Sequence, residues 1–499
     1  MGRYAVVTGG VCAVVAPFLP AGAAGSAGLD LAGGSAAVVL GALSAFGSGR
    51  RVRVAAPVVA LLGLVLAGVG LVADVRSGLP GPGWPVLAVG ALAVAAGVWW
   101  ARSWRPSVLG VACAALVVGA ALVAPTAVDA LATSAGTAVA GGGPAAVAER
   151  PGERRWRWRP TAPVVDVAAA GHGVVVATSD GAVTGLDGAT GERRWRYARP
   201  GAAVGALLVS PDQRTAVITF RSLRDTRSQL VVVLDAVTGA ARFDRVVRSV
   251  LVETDQVRPG RRVLAIREDH GLTAYDLTTG AERWRFSPGD GCRSDYARVV
   301  PGDGVVLAPL ACAGTAGVVA LDEDGGAVRW RHEAPVVTGD GYGPVVQLFG
   351  SPDGSVVRVR VEGVGDGGDV VLGGADGREL LRVDPSRWVR VDVGATPLAE
   401  VEDGPEVRER AAVDPSGGLR PLPVARCLRR GPDATTAATY LRVCERDGGV
   451  ALLAQSWDGA TTETALDVGG GPGVLLVPAP GAVVLAGKGS TGAVVGLAP

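Results

Sequence analysis

Six cysteines, three histidines and a large set of carboxylates are the groups in this 499-residue sequence whose types carry chemistry. His172 stands in Gly-His-Gly and His270 in Asp-His-Gly; together with His332 they read as surface turn residues, and no Ser/His/Asp order emerges. No Gly-x-x-x-x-Gly-Lys-Ser/Thr phosphate loop exists, because Lys488-Gly489-Ser490 lacks the upstream glycine spacing and precedes a strand. The acidic runs Asp366–Asp369 and Asp322-Glu323-Asp324-Gly325 lack the twelve-residue calcium-loop pattern and read as solvated hairpin turns. No catalytic, cofactor-binding or metal-ligating set is expected. Lys488 is the one lysine and asparagine is absent, a high-G+C coding bias that makes arginine the default basic residue. The arginine runs at Arg155, Arg157, Arg159 and Arg193, Arg194, Arg196 therefore read first as solvated strand faces, with anionic polymer or lipid headgroups as the alternative partner. A formal net charge of +1 argues against nucleic-acid binding.

Most of the carboxylates read as turn residues, and the clearest of these turns belong to one repeated phrase. Leu186-Asp187-Gly188-Ala189-Thr190-Gly191-Glu192-Arg193-Arg194-Trp195 returns as Tyr275-Asp276-Leu277-Thr278-Thr279-Gly280-Ala281-Glu282-Arg283-Trp284. Weaker copies start at Leu234-Asp235, reaching Gly239 and Phe243, and at Leu321-Asp322, reaching Gly326 and Trp330. Alternating apolar and polar residues mark a strand up to the Asp. Asp and Thr then cap backbone groups of a turn, and Gly takes positive φ. The next strand carries the aromatic residue. Two further strand-like runs precede each phrase, so one unit holds four antiparallel strands in roughly 45 residues, the size of a propeller blade. The turns recur at Gly191, Gly239, Gly280, Gly326 and Gly377, then near Gly417 and Gly459. The region opens with a lone last strand around Arg154–Trp158 and ends with a third strand around Gly492–Leu497, so the two ends should complete one blade. This gives eight blades, or seven if the degenerate stretch 385–470 holds one fewer.

Cys292 and Cys312 flank the first two strands of one unit, and Cys427 and Cys444 those of another. The spacing matches no zinc finger and no histidine is near in sequence. Two local disulfides follow, each closing a loop of about 20 residues and stabilising by about 3 kcal/mol in the chain-entropy picture. They require an oxidising compartment.

The phrase Leu-Asp-x-x-Thr-Gly-x-x-x-Trp, best at 186–195, resembles the repeat of pyrroloquinoline-quinone-like (PQQ-like) β-propellers over most of 151–499. The resemblance implies that Trp156, Trp195, Trp284 and Trp330 dock between neighbouring blades, with Asp187, Gly191, Asp235, Gly239, Asp276 and Gly280 as structural turn residues. That superfamily includes quinoprotein alcohol dehydrogenases. It also includes non-catalytic members such as the propeller subunit of the outer-membrane barrel assembly machinery. The quinoproteins commonly use an Asn on Ca²⁺ and adjacent cysteines on the quinone; this sequence has neither.

Residues 1–125 differ in kind. Five apolar stretches, near Tyr4–Ala24, Leu29–Gly47, Val54–Ala73, Trp84–Ala101 and Ser107–Ala124, are each about 18–21 residues, enough to cross a bilayer as helices. Apart from Asp30 at the very edge of the second, none holds a charge, which favours an anchor over a carrier. Cys12 and Cys113 lie within them as small apolar residues. Arg3, Arg50, Arg51, Arg53, Arg102 and Arg105 fall on one side, and Arg76 with Asp30 and Asp74 on the other. The N-terminus is thus expected in the cytoplasm and everything after the fifth helix outside. Residues 126–150, rich in Ala, Gly and Pro, read as a flexible linker.

The expected architecture is an all-β propeller at 151–499 preceded by a transmembrane α-helical domain at 1–125. The expected role is a non-enzymatic, membrane-anchored extracytoplasmic scaffold of the bacterial cell envelope, touching the bilayer through 1–125 and an envelope protein or ligand through a propeller face. The alternatives are a quinoprotein-type oxidoreductase with a cofactor in the funnel, and an envelope sensor.

Overall fold

A computed structural model describes residues 2–19, 28–46, 50–100, 108–139, 141, 144–221, 228–248, 256–268, 271–294, 298–336, 344–362, 369–384, 387–403, 406–414, 416–423, 430–446, 449–466 and 473–499. Five helices come first: α1 (Gly2–Val15), α2 (Gly28–Ser44), α3 (Arg50–Arg76), α4 (Gly83–Trp100) and α5 (Val108–Ala132). They cross where side chains are smallest. A Cβ on Gly9 would sit 2.5 Å from the Gly90 carbonyl oxygen, and one on Gly70 would overlap the Trp84 ring. Close approach at small residues is the packing mode of helices in lipid. Among the described residues, two helical segments are long and apolar enough to cross a membrane, Pro57–Arg76 and Gly110–Ala132. Their outer faces carry Val58, Leu61, Val65, Val69, Leu116 and Leu122, all more than half exposed. The other three helices are apolar but shorter. α1 is followed by a 3-10 turn, Ala16–Phe18, so the described helix ends earlier than its apolar stretch suggested.

Eight sheets follow, each built around four antiparallel strands, as the eight-blade reading required. Blades 1 to 7 span 164–198, 203–248, 257–286, 292–335, 345–382, 388–422 and 430–466, each running from its inner to its outer strand. Blade 8 joins Val474–Ala479, Ala482–Gly487 and Val494–Ala498 to the early strand Arg154–Trp158, with Trp156 opposite Gly496. Two segments far apart in the chain thus complete one blade and close the ring. The degenerate stretch holds two whole blades, 6 and 7.

The repeated phrase accounts for the seams in the first half. Trp195 packs its indole over Gly239 of blade 2 and donates Nε1–H to the Ala236 carbonyl at 2.9 Å. Trp156, Trp284 and Trp330 do the same to Gly188, Glu323 and Ala375 of the next blade, over Gly191, Gly326 and Gly377. Those glycines have φ near +70°, and a Cβ there would collide with the indole. Within its own blade each indole faces a small residue: Gly185, Gly496, Ala274 or Ala320. Blade 2 departs from this pattern. Phe243 replaces the Trp, packs over Gly280, and faces Val233. The smaller ring leaves room for the larger partner.

The segment read as a flexible linker lies against the propeller. α5 continues to Ala132, and Ser134–Gly136 then pairs with the outer strand of blade 1 as a fifth strand. Ala138 N donates to Thr238 O, Ala148 N to Ala479 O, and Gly481 N to Ala146 O, while Glu149 O accepts from Thr436 Oγ1. Backbone groups make most of these bonds, so composition carried no sign of them.

Candidate functional site

Strand order fixes what each end of the propeller presents. Turns joining first to second and third to fourth strands share one face; the remaining turns and the connections between blades share the other. The helices dock on the second face. Leu79, between α3 and α4, is 1% exposed and joins the core of blades 1 and 2 with Tyr197, Ala202 and Val204. A Cβ on Gly201 would strike the Arg76 carbonyl at 2.1 Å. Arg199, 2% exposed, ties the joint together. Its Nη1 donates to Asp129 Oδ1 at 2.8 Å and to Gly78 O at 3.3 Å. Its Nη2 reaches Asp129 Oδ2 and Asp244 Oδ2, both at 3.2 Å, and its Nε reaches the Tyr197 hydroxyl at 2.8 Å. Asp129 belongs to the last turns of α5, Gly78 to the α3–α4 loop and Asp244 to blade 2, so one guanidinium joins four parts of the chain. Burial pushes the Asp244 carboxyl up against the pull of Arg199. Nothing in the sequence marked Arg199, which sits among many arginines.

The first face carries the Asp turns. Asp187, Asp235 and Asp276 each take two turn N–H groups and a Thr hydroxyl on Oδ1, and Asp322 takes the N–H groups of Asp324 and Gly325. Each then pairs with the arginine seven residues on: Arg194, Arg242, Arg283 or Arg329. Burial pushes the Asp276 carboxyl up, but Arg283 and the turn N–H groups hold it at about 2. These arginines therefore already have partners within their own turns.

The residues singled out by type and spacing take definite places. Cys292 and Cys312 face each other across paired strands and form a disulfide. Cys444 is disulfide-bonded; the expected partner Cys427 lies outside the described residues, as do His270 and residues 366–368. Asp369, the end of that acidic run, sits in a blade 5 strand and pairs with Arg358. Cys12 and Cys113 are free thiols within helices. His172 lies in a turn of blade 1, whereas His332 corrects the reading: it is within the outer strand Val328–Pro335. The acidic loop 322–325 is only partly solvated. Glu323 is fully buried and accepts the Arg261 and Arg262 N–H groups at 3.0 and 2.8 Å, pegging blade 4 to blade 3. Asp324 pairs with Arg262 and Arg283. Among the described residues no three His, Cys, Asp or Glu gather as a metal set.

Sequence reading missed the seams of blades 5 to 7, which are charged. Arg358 of blade 5 pairs with Asp369, donates to Val389 O of blade 6 at 2.6 Å and stacks on Trp388. Between blades 6 and 7, Arg410 bonds Glu400, and Arg442, Arg390 and Tyr440 converge on Asp433. Glu400, Arg410 and Arg442 are each no more than 2% exposed. Charged letters on otherwise apolar strands were the available signal.

Solved propellers of other proteins share the broad shape only weakly. The WD40 domain of SCAP from fission yeast has 9% identity and a TM-score of 0.42, covering 69% of this chain and 98% of that one. The β-propeller domain of Cps50 (Swd1) from Myceliophteria thermophila has 12% identity and a TM-score of 0.36, covering 71% of this chain and all of that one. No curated protein matches the sequence. A family model described as "Outer membrane protein assembly factor BamB" matches residues 89–222 and 203–340. These matches together span just over half of the chain, which belongs to this family of PQQ-like repeat propellers.

Proposed function

We propose that this protein is a membrane-anchored scaffold that holds its propeller close against the extracytoplasmic surface and offers the opposite face to an envelope protein. The observation that carries the reading is the joint at Arg199. The propeller packs on the α3–α4 loop and the end of α5. Those two places lie on the same side of the membrane in a five-crossing bundle with a cytoplasmic N-terminus, opposite to the arginine-rich loops. The disulfide at Cys292–Cys312 supports an oxidising compartment for the propeller.

The docked helices take one face. On the other, Ala138, Ala146, Ala148 and Glu149 are bonded to the turns of blades 2, 8 and 7. Blades 3 to 5 keep exposed turns there, with Thr278, Thr279, Asp324, Gly325, Ala375 and Asp376 all exposed. A rigid face of this kind suits protein docking, and the BamB description of the family model supports an assembly role. The reading is non-enzymatic: the Asp turns, where carboxylates are densest, already spend their oxygens on backbone N–H groups and arginines.

Cross-linking the intact protein in native membranes, then affinity purification and mass spectrometry, tests the proposal. One partner recovered in near-equal amount, and lost when 151–499 is deleted, is the expected result. Repeated recovery of no stoichiometric partner contradicts it.

A further inference from the structure

The face away from the helices carries a groove bounded by residues 144–147 and by turns of blades 1, 2 and 8. Its cavity, about 440 Å³, is lined by Pro144, Val147, Gly171, Gln213, Arg214 and Val237 among others. A second cavity of about 270 Å³, on the blade 3 side, shares Asp212 and Arg214 with it and reaches Thr278. Part of the groove wall is backbone. Val147 stands opposite Pro480 of blade 8, where Gly481 N donates to Ala146 O and Ala148 N to Ala479 O. That antiparallel pattern turns the Val147 N–H and C=O away from blade 8. Among the described residues neither group makes a hydrogen bond. An unpaired strand edge is a template for another chain.

Blade 2 supplies the side chains. Ser210-Pro211-Asp212-Gln213 and Ser351-Pro352-Asp353-Gly354 form the same turn, with the serine hydroxyl on the aspartate in each. Gly354 has a φ of +75°, whereas Gln213 holds a φ of +58°, a conformation that favours glycine. A side chain kept there beside a cavity points to a use for its amide. Arg214 follows. Arg242, Arg261, Arg262 and Arg283 of the second cavity each pair with an aspartate, but among the described residues the Arg214 guanidinium pairs with none. The carboxylates of the first cavity are engaged elsewhere. Asp212 Oδ1 takes the Ser210 hydroxyl and the Arg214 N–H, and Asp235 takes Arg242.

We propose, resting on the scaffold reading, that an extended segment of the docked partner seats in this groove: its backbone pairs with Val147 as an added strand and bonds the Gln213 amide, and an acidic side chain meets Arg214. A helical segment has its own backbone groups paired and cannot meet Val147, and a segment without an acid leaves Arg214 unmatched.

The full chain in lipid nanodiscs is titrated with a fluorescein-labelled hexapeptide of valine and threonine carrying one central glutamate, read by fluorescence polarisation. Saturable 1:1 binding is expected, about tenfold weaker for the glutamine counterpart and for Arg214→Glu. A lysine counterpart should bind Arg214→Glu better than it binds the unaltered protein. Val147→Pro removes the free N–H and neither bond to blade 8, and should also weaken binding about tenfold. Gln213→Gly relieves the backbone, so its expected loss of affinity is not a loss of fold. In native-membrane cross-linking, Arg214→Glu and Val147→Pro should each lose the stoichiometric partner. Undiminished recovery from both variants, no saturable binding of the glutamate peptide, or equal binding of the glutamate and lysine peptides overturns the groove and leaves the scaffold standing. No partner from the unaltered protein overturns the scaffold and the groove with it.

Discussion

Between blades 1 and 2 the seam is an indole over a glycine; between blades 6 and 7 it is three guanidinium groups among two carboxylates. Both join twisted sheets around the same ring. The first needs only short-range spelling: a small residue, an Asp turn, a Gly of positive φ and an aromatic, all within about a dozen residues of each other or of the next copy. The second needs partners that sit on different strands and blades, such as Arg390 with Asp433. Aromatic seams tolerate small losses because dispersion is spread over many atoms. Ionic seams do not, because each charge is buried only on account of its partner.

One of the two largest expected effects is in the ionic arc. Glu400→Ala leaves Arg410 without its one carboxylate and should cost about 3–5 kcal/mol of unfolding free energy, read by denaturant titration. The paired change Glu400→Leu with Arg410→Met should recover most of that loss. If Glu400→Ala proves neutral, the ionic arc is not what holds that seam.

In the aromatic arc, Trp195→Ala should cost about 3–5 kcal/mol through the lost indole and the unpaired Ala236 carbonyl. A sharper trial is Phe243→Trp. Val233 stands where the four tryptophan-bearing blades place Gly or Ala, so the larger ring should destabilise by about 1–3 kcal/mol. Adding Val233→Gly should return part of the loss. No recovery would show that aromatic and partner are not matched in size.

Smaller effects concern the turns. Asp276→Ala removes the cap and the Arg283 partner and should cost about 1–2 kcal/mol, measured as a lower denaturant midpoint. The pH dependence has a definite sign. Although burial pushes it up, Asp276 is held at about 2 by Arg283 and its turn N–H groups, and Asp235 and Asp322 shift in the same direction. A depressed carboxylate contributes stability above its unfolded value, about 3.9, and loses it as pH falls through its folded value. Stability should therefore fall between about pH 4 and pH 2, and the fall should be shallower in Asp276→Ala.

The same contrast explains what the sequence disclosed. Repeats from Asp187 to Gly326 carried the blade count, the turn caps and the interblade tryptophans, because each depends on neighbours close in the chain. The closing strand around Trp156 was legible because its partner strand, near Gly496, is the missing third of a known unit. Arg199 was not legible, since its partners lie in α5, the α3–α4 loop and blade 2. Nor was the seating of Ala138, Ala146 and Ala148 on the propeller, which is held through backbone groups that any sequence possesses. Arg410 and Glu400 were charged letters within strands, and only the fold brings their neighbours from blade 7.

The propeller is held by one face, through the joint at Arg199, and the proposed partner meets the other. A photo-cross-linking residue placed in turn at Thr278, on the face away from the helices, and at Ser179, on the face toward them, tests it in native membranes. An intermolecular adduct with one envelope protein from position 278, and none from 179, is the expected result. An adduct from position 179 alone, or the same partner from both, would contradict it.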